Sequence, residues 1–271
     1  MVLGGVPYYL SLLDAKKNVP DNIDSLFFSS EAELEGEFQR LFKSLFKSAD
    51  TYMEIIRLLS TNRDGFTRKE ISEKLDVSDN GALGDMLEDL EQCDFIRRYN
   101  NGKRQNGGIY QLMDFFSMFH FRYGQRRVTD EHFWRNHLGT PEQNNWYGLT
   151  FEKVCIWHIG QIIRGLHLDT IAHEYYSLRS RESSPAVQID MIIDRADGIA
   201  TVCEMKYSKD DYRLTETEYR KIVRRMEVFG NETGHKGGVQ ATIVTTYALK
   251  DNMYSEISPV AITMNELFED W

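Results

Sequence analysis

The chain has 271 residues, 41% of them hydrophobic, 12% aromatic and 27% charged, with only 5 prolines, a composition that excludes a disordered or collagen-like chain. The length predicts two domains. Net charge is −10, and each half of the chain carries −5, so a protein that coats nucleic acid through global positive charge is disfavoured. Apolar runs are broken by charge within about ten residues, so no membrane span and no membrane partner are expected. The stretch MVLGGVPYYLSLLDAKK has no basic leader, so a secretory signal is not expected. Cys93, Cys155 and Cys203 are odd in number and far apart, which suits free thiols in a reducing cytoplasm.

In chain order, Gly4-Gly5-Val6-Pro7-Tyr8-Tyr9-Leu10 predicts a turn leading into a short helix, with Pro7 in its first turn. Leu34, Phe38, Leu41, Phe42, Leu45 and Phe46 recur at three- and four-residue spacing and predict an apolar stripe on one helix, completing a helical segment over 1–48. Residues 49–123 predict three helices and a hairpin, then a further helix. The second of the three is capped by Thr67 with Glu70 in capping-box register, and the third by Ser78 or Asp79. Strands at 95–99 and 108–112 flank an Asn-Asn-Gly turn. That order is that of a winged helix-turn-helix domain. A polar, irregular linker is expected over 124–146.

From 147 to 271 the pattern predicts a mixed α/β domain. Its elements are a helix (150–164), strands near 170–178, 186–194 and 199–206, a helix (214–229), a strand (239–246) and a short helix near Met264. The overall class is α/β (α+β when the helical first part is included).

Chemistry concentrates on the second and third of those strands. A three-residue loop, Ala196-Asp197-Gly198, sets a hairpin register in which Asp190 faces Glu204 and Gln188 faces Lys206. Paired carboxylates repel unless a cation sits between them, and an all-oxygen donor set suits Mg²⁺ or Mn²⁺, which polarises a phosphodiester and activates bound water. Lys206 is then placed to position that water or to offset transition-state charge. Glu152, on the preceding helix, can complete the metal shell. A second (Asp/Glu)-x-Lys triplet, Asp14-Ala15-Lys16, shows that the triplet alone carries no weight. An ordinary polar sheet face is the competing reading.

Asp190, Glu204-Met205-Lys206 and Glu152 resemble the PD-(D/E)XK nuclease-like core of restriction endonucleases and archaeal Holliday junction resolvases. Ile189 departs from the pattern, standing where a proline often precedes the aspartate. Together with Gly4–Leu10 and the winged helix, this hairpin resembles the C-terminal half of archaeal-type AAA+ ATPases, where a P-loop module is followed by a lid, a winged helix and a nuclease-like domain. The resemblance implies a restriction-endonuclease-like fold, metal ligation by Asp190 and Glu204, catalytic roles for Lys206 and Glu152, association with DNA, and an ATPase module or other protein as partner. No nucleotide cofactor is expected of this chain. Its nearest approach to a P-loop, Gly230–Gly237, has the wrong spacing and no hydroxyl after Lys236.

Two basic clusters are candidate nucleic-acid contacts. Arg97, Arg98, Lys103 and Arg104 lie on the hairpin, whose residues 95–113 hold no acid. Arg220, Lys221, Arg224 and Arg225 lie on the helix after the carboxylate strands, where solvated helix charge is the alternative. The third helix of the winged motif carries Asp85, Glu88 and Glu91, which repel phosphate and argue against reading of base edges. That acidic face suits a rival reading, a non-catalytic interaction module that retains the nuclease fold. His132 and His137 lack zinc-ligand spacing, and no nucleophile motif occurs.

Overall fold

The computed structural model describes residues 1–102, 108–126, 129–180 and 183–269. The chain divides into two units, Met1–Tyr99 with Gly107–Asn145, and Asn100–Asn106 with Trp146–Trp271. Together they form a mixed α/β architecture.

The first unit begins with α1 (Pro7–Ser11), α2 (Val19–Phe27) and α3 (Glu37–Leu45). The apolar stripe expected on one helix is interrupted: Gly36 takes φ 69° at the N-cap of α3, so Leu34 precedes the helix. Phe38 and Phe42 of the stripe are buried, but Leu45 faces solvent. The buried rings join a wider aromatic core. Phe42 lies 4.8 Å from Phe95, and Phe38 stacks on His120 at 4.5 Å with the rings 7° from parallel.

Next come α4 (Ala49–Ser60), β1 (Phe66–Thr67), α5 (Arg68–Leu75), α6 (Gly81–Gln92), β2 (Ile96–Tyr99) and β3 (Ile109–Leu112). Three helices and a hairpin thus follow in the expected order. Thr67 accepts from the Glu70 amide while Glu70 accepts from the Thr67 amide, the expected capping box. Asn80, rather than Ser78 or Asp79, caps α6; Asp79 is drawn instead into an ion pair with Arg68 at 2.6 Å. β1 was not expected from the sequence. It pairs Phe66 with Tyr110 and Thr67 with Ile109, giving an antiparallel sheet in the order β1-β3-β2. Gly65 makes that pairing possible: at φ 77°, a Cβ there would lie 2.1 Å from the Tyr110 carbonyl oxygen.

α7 (Phe115–Phe119) runs into a π-turn over His120–Gly124, and α8 (Phe133–Asn136) follows. The stretch 124–146, expected to be irregular, therefore holds α8 and the start of α9 (Pro141–Trp157). Its order comes from Asp24, a buried carboxylate on α2 that accepts from the backbone amides of Trp134 at 2.7 Å and Arg135 at 3.1 Å. Trp134 is thereby held in the core against Phe119 and Tyr123.

The helix expected at 150–164 is two, α9 and α10 (Ile159–Gly165). β4 (His173–Arg179), β5 (Gln188–Arg195), β6 (Ile199–Lys206), α11 (Glu216–Thr233), β7 (Gly238–Thr245) and β8 (Ala261–Thr263) complete the second unit. The short helix expected near Met264 is β8 followed by a 3₁₀ turn at Glu266–Phe268. The sheet order is β4-β5-β6-β7-β8; β4, β5 and β6 are antiparallel, whereas β6, β7 and β8 are parallel. The switch follows from the connections: a tight turn joins β5 to β6, while α11 carries the chain back for a parallel β7. Asn101 bridges Ser177 of β4, and Gly102 donates to its carbonyl at 3.0 Å. Among the described residues no helix is long and apolar enough to cross a membrane. All three cysteines are free, with Cys155 and Cys203 buried.

The aromatic core sets a pH dependence. Burial pushes the His120 imidazole down to about 4, and the Arg57 charge adds to this. Between the ordinary histidine value near 6.5 and about 4, the unfolded chain therefore binds a proton that the folded chain refuses. Stability is expected to fall as pH falls through that window. His120→Phe, which keeps a ring against Phe38, should flatten the profile of urea midpoints between pH 7 and 4.5.

Candidate functional site

The β5–β6 ladder has the register expected from the three-residue loop. Met191 pairs with Cys203, Ile192 with Val202, Ile193 with Thr201 and Asp194 with Ala200. Continued by one step, it would set Asp190 opposite Glu204. The ladder ends instead at Met191–Cys203, and the cause is visible on the other edge of β5. β4 pairs Tyr176 with Ile192 and then Leu178 with Ile189, so Ser177 alone opposes both Asp190 and Met191. This is a β-bulge, and it breaks the alternation of side chains along β5. Ile189 and Ile192, three apart, both pack with Val202, Ala200 and Phe229 of α11. Asp190 therefore leaves the face it was expected to share with Glu204. The Ser177 hydroxyl donates to the Asp190 carbonyl at 2.5 Å, and the Asp190 carboxylate accepts from Gln188 Nε2 at 2.8 Å.

Glu204 stays in regular alternation with Ala200 and Val202 and points towards α11. It is buried, with Oε1 2.7 Å from Lys206 Nζ and Oε2 2.5 Å from Arg225 Nη1. Arg225 also donates through Nε to the Gln188 carbonyl at 3.0 Å, so one guanidinium ties β5 and β6 to α11. Two further groups surround this clamp. The Tyr212 phenol is pushed up by burial, then by the charges of Glu218 and Glu204. Burial raises the Glu218 carboxyl, but Tyr212, Thr215 and Lys206 together hold it below the usual range. The α11 face thus carries two carboxylates and two cations. Tyr212 and Glu218 were missed by sequence reasoning, although Thr215-x-x-Glu218, which forms a capping box at the start of α11, carries a signal for Glu218.

Glu152 lies on α9, three residues before Cys155, whose thiol is raised well above its ordinary value by burial, then by Cys203 and Glu152.

This arrangement does not fit a divalent cation. Magnesium needs several carboxylate or carbonyl oxygens free on one face. Here both oxygens of Glu204 are engaged by cations, and Asp190 is turned away by the bulge. Among the described residues no group of three or more His, Cys, Asp or Glu side chains is placed to hold a metal.

The basic clusters are also largely engaged. Arg97 Nε donates to Gln111 at 2.7 Å and its guanidinium lies 4.7 Å from the Tyr99 ring; Arg98 is exposed, 6.0 Å from the Tyr110 ring. Lys103 and Arg104 lie outside the described residues. On α11, Arg220 pairs with Glu216 at 2.7 Å, Arg224 donates to the Pro185 carbonyl at 2.7 Å, and Lys221 is exposed. On α6, Asp85 and Glu88 are exposed, while Glu91 accepts from the Arg98 amide at 3.1 Å.

No protein-family model matches the chain, and no curated protein matches it. Among solved structures, it is similar to a MepR mutant from a multidrug-resistant S. aureus clinical isolate. The two are 14% identical, the match covers 51% of this chain and 89% of that one, and the TM-score is 0.27. A likeness of that degree supports no inference about fold or function.

The clamp predicts an asymmetric response to mutation. Glu204→Gln removes the carboxylate that Arg225 and Lys206 share and should lower stability by about 1–3 kcal/mol in urea unfolding. Lys206→Met keeps the Arg225–Glu204 pair and removes a cation that is 28% exposed, so its cost should be about 1 kcal/mol or less.

Proposed function

We propose that this chain is a DNA-associated module, with a winged-helix first unit and a nuclease-like second unit that does not cut. The observation that carries the non-cutting reading is the Glu204 clamp: the carboxylate a metal would need is held by Lys206 and Arg225, and the β5 bulge removes its expected partner, Asp190. The helix–three strands–helix–strand order of the second unit, with Glu204 and Lys206 on its third strand, supports kinship with the PD-(D/E)XK core. The order α4-β1-α5-α6-β2-β3 supports the winged-helix reading of the first.

DNA contact on this reading is made by the hairpin arginines. Arg98 is exposed on β2, and Arg97 is pre-positioned by Gln111 and Tyr99. Guanidinium groups held in place lose less freedom on meeting phosphate. The exposed Asp85 and Glu88 of α6 weigh against insertion of that helix into a major groove, so binding is expected to be weak, insensitive to sequence and steeply salt-dependent. The same two acids favour a second reading, in which α6 meets a basic protein surface.

Three measurements separate these readings. Calorimetric titration of wild type with Mg²⁺ and Mn²⁺ should give no saturable heat, and a mixed DNA panel should stay intact with either ion. Cleavage by wild type that is lost in Asp190→Ala and Lys206→Ala would overturn the non-cutting reading. Fluorescence anisotropy on duplex DNA should show Arg97→Ala/Arg98→Ala weakened equally across sequences, with the log–log salt slope reduced by about two. If wild type binds no DNA at low salt, the protein-contact reading replaces the first.

A further inference from the structure

A second feature of α11 lies away from the Glu204 clamp. One stripe of the helix, from Glu216 to Glu227, spans about 16 Å of helix and borders an open cleft of about 380 Å³. Its floor is apolar and aromatic: Val223 and Tyr219 from the helix, and Tyr254 from the segment before β8, with the two phenol rings 5.5 Å apart at 41°. Tyr219 and Tyr254 pack on the buried cluster of Leu214, Ile222, Ala241 and Ile243 and are only partly buried, so each ring has protein on one side and keeps some exposure to the cleft.

The rim carries opposite charges in different states. Arg220 is compensated by Glu216 through Nη2 at 2.7 Å. Arg224, one turn on, donates to the neutral Pro185 carbonyl and makes no ion pair among the described residues. Glu227 makes no ion pair or hydrogen bond among the described residues. The cleft therefore offers two adjacent phenol rings with, among the described residues, a guanidinium and a carboxylate beside them that form no ion pair.

We propose that this cleft binds a nucleotide whose base carries an exocyclic amine. The base stacks on the Tyr219–Tyr254 platform, Glu227 accepts from the amine, and Arg224 donates to the phosphate. Each part follows general chemistry: aromatic side chains stack on any base, carboxylates accept from the cytosine amine, and guanidinium binds phosphate in a planar fork. A base without an amine leaves Glu227 unmatched, so cytosine is preferred to thymine. The ligand chemistry is shared by a free nucleotide and by an unpaired nucleotide of a strand. The assignment is independent of the hairpin arginines and of the Glu204 clamp.

The test uses the full chain and isothermal titration with dCMP, dTMP, deoxycytidine and a 5′-phosphorylated oligo-dC. Wild type should bind dCMP at least fivefold more tightly than dTMP and at least fivefold more tightly than deoxycytidine. Arg224→Gln should weaken dCMP about tenfold and leave deoxycytidine unchanged, and Glu227→Gln should erase the preference over dTMP. Tyr254→Ala should abolish binding, whereas Tyr254→Phe, which keeps the ring and guards against misfolding, should retain it. Tyr247→Ala, at an exposed tyrosine outside the cleft, should behave as wild type. Binding of oligo-dC more tightly than dCMP identifies a strand as the source, and binding of dCMP of equal strength identifies the free nucleotide. Absence of binding to all four ligands at millimolar concentration, equal affinity for dCMP and dTMP, or indifference to Arg224→Gln would each overturn the proposal.

Discussion

Between Tyr176 and Leu178, β4 supplies one residue where β5 supplies two, and what the second unit's charged residues can do follows from that mismatch. Side chains in a strand alternate strictly, so a single extra residue reverses the sense of everything beyond it. Ile189 and Val187 are brought to the α11 side, where they fill space against Phe229, and Asp190 is released from the face of Glu204. Glu204, lacking a carboxylate neighbour from β5, has no reason to share a cation with one. It satisfies both its oxygens with Lys206 and Arg225 instead. A buried carboxylate left alone is costly, and bonding it to two cations offsets much of that cost. The clamp is thus the electrostatic answer to a packing decision made one strand away.

The same chain of causes explains which parts were legible beforehand. The β5–β6 register was readable because a short loop with Gly198 in the left-handed region constrains both strands, and both are local in sequence. Thr67 with Glu70 was readable because a capping box is a four-residue pattern acting on itself. The bulge was not, since its cause lies in β4, which shows no local sign that Ser177 opposes two residues. Nor was the pairing of Glu204 with Arg225, which depends on the angle at which α11 crosses the sheet. β1 escaped notice because two residues give no periodicity. Its only trace is Gly65, whose need for a positive φ is invisible until Tyr110 approaches it.

The stretch 124–146 makes a related point. Its composition is polar, and polar stretches read as linkers. Yet Phe133 and Trp134 are buried within it, and two backbone amides there are held by Asp24 from α2, over a hundred positions earlier in the chain. A carboxylate that accepts two amide hydrogen bonds acts as a helix cap supplied from a distance. Tertiary capping of this kind leaves no mark in the segment that it orders.

The sheet's change from antiparallel to parallel at β6 also has a bearing on how the second unit is built. β4, β5 and β6 are neighbours in sequence and pair through short connections, so their meander closes with little loss of chain entropy. β7 must wait for α11 and its flanking turns, because only a crossover returns the chain in the parallel sense. Until then β6 is an edge, with its Ile199–Lys206 backbone open to pairing by any extended strand nearby. Long-range parallel pairing is intrinsically slow. The interval between completion of the meander and docking of β7 is therefore the stage at which a folding chain is most exposed to association with other copies. A growing polypeptide emerging from synthesis passes through that stage in the same order, meander first and crossover last.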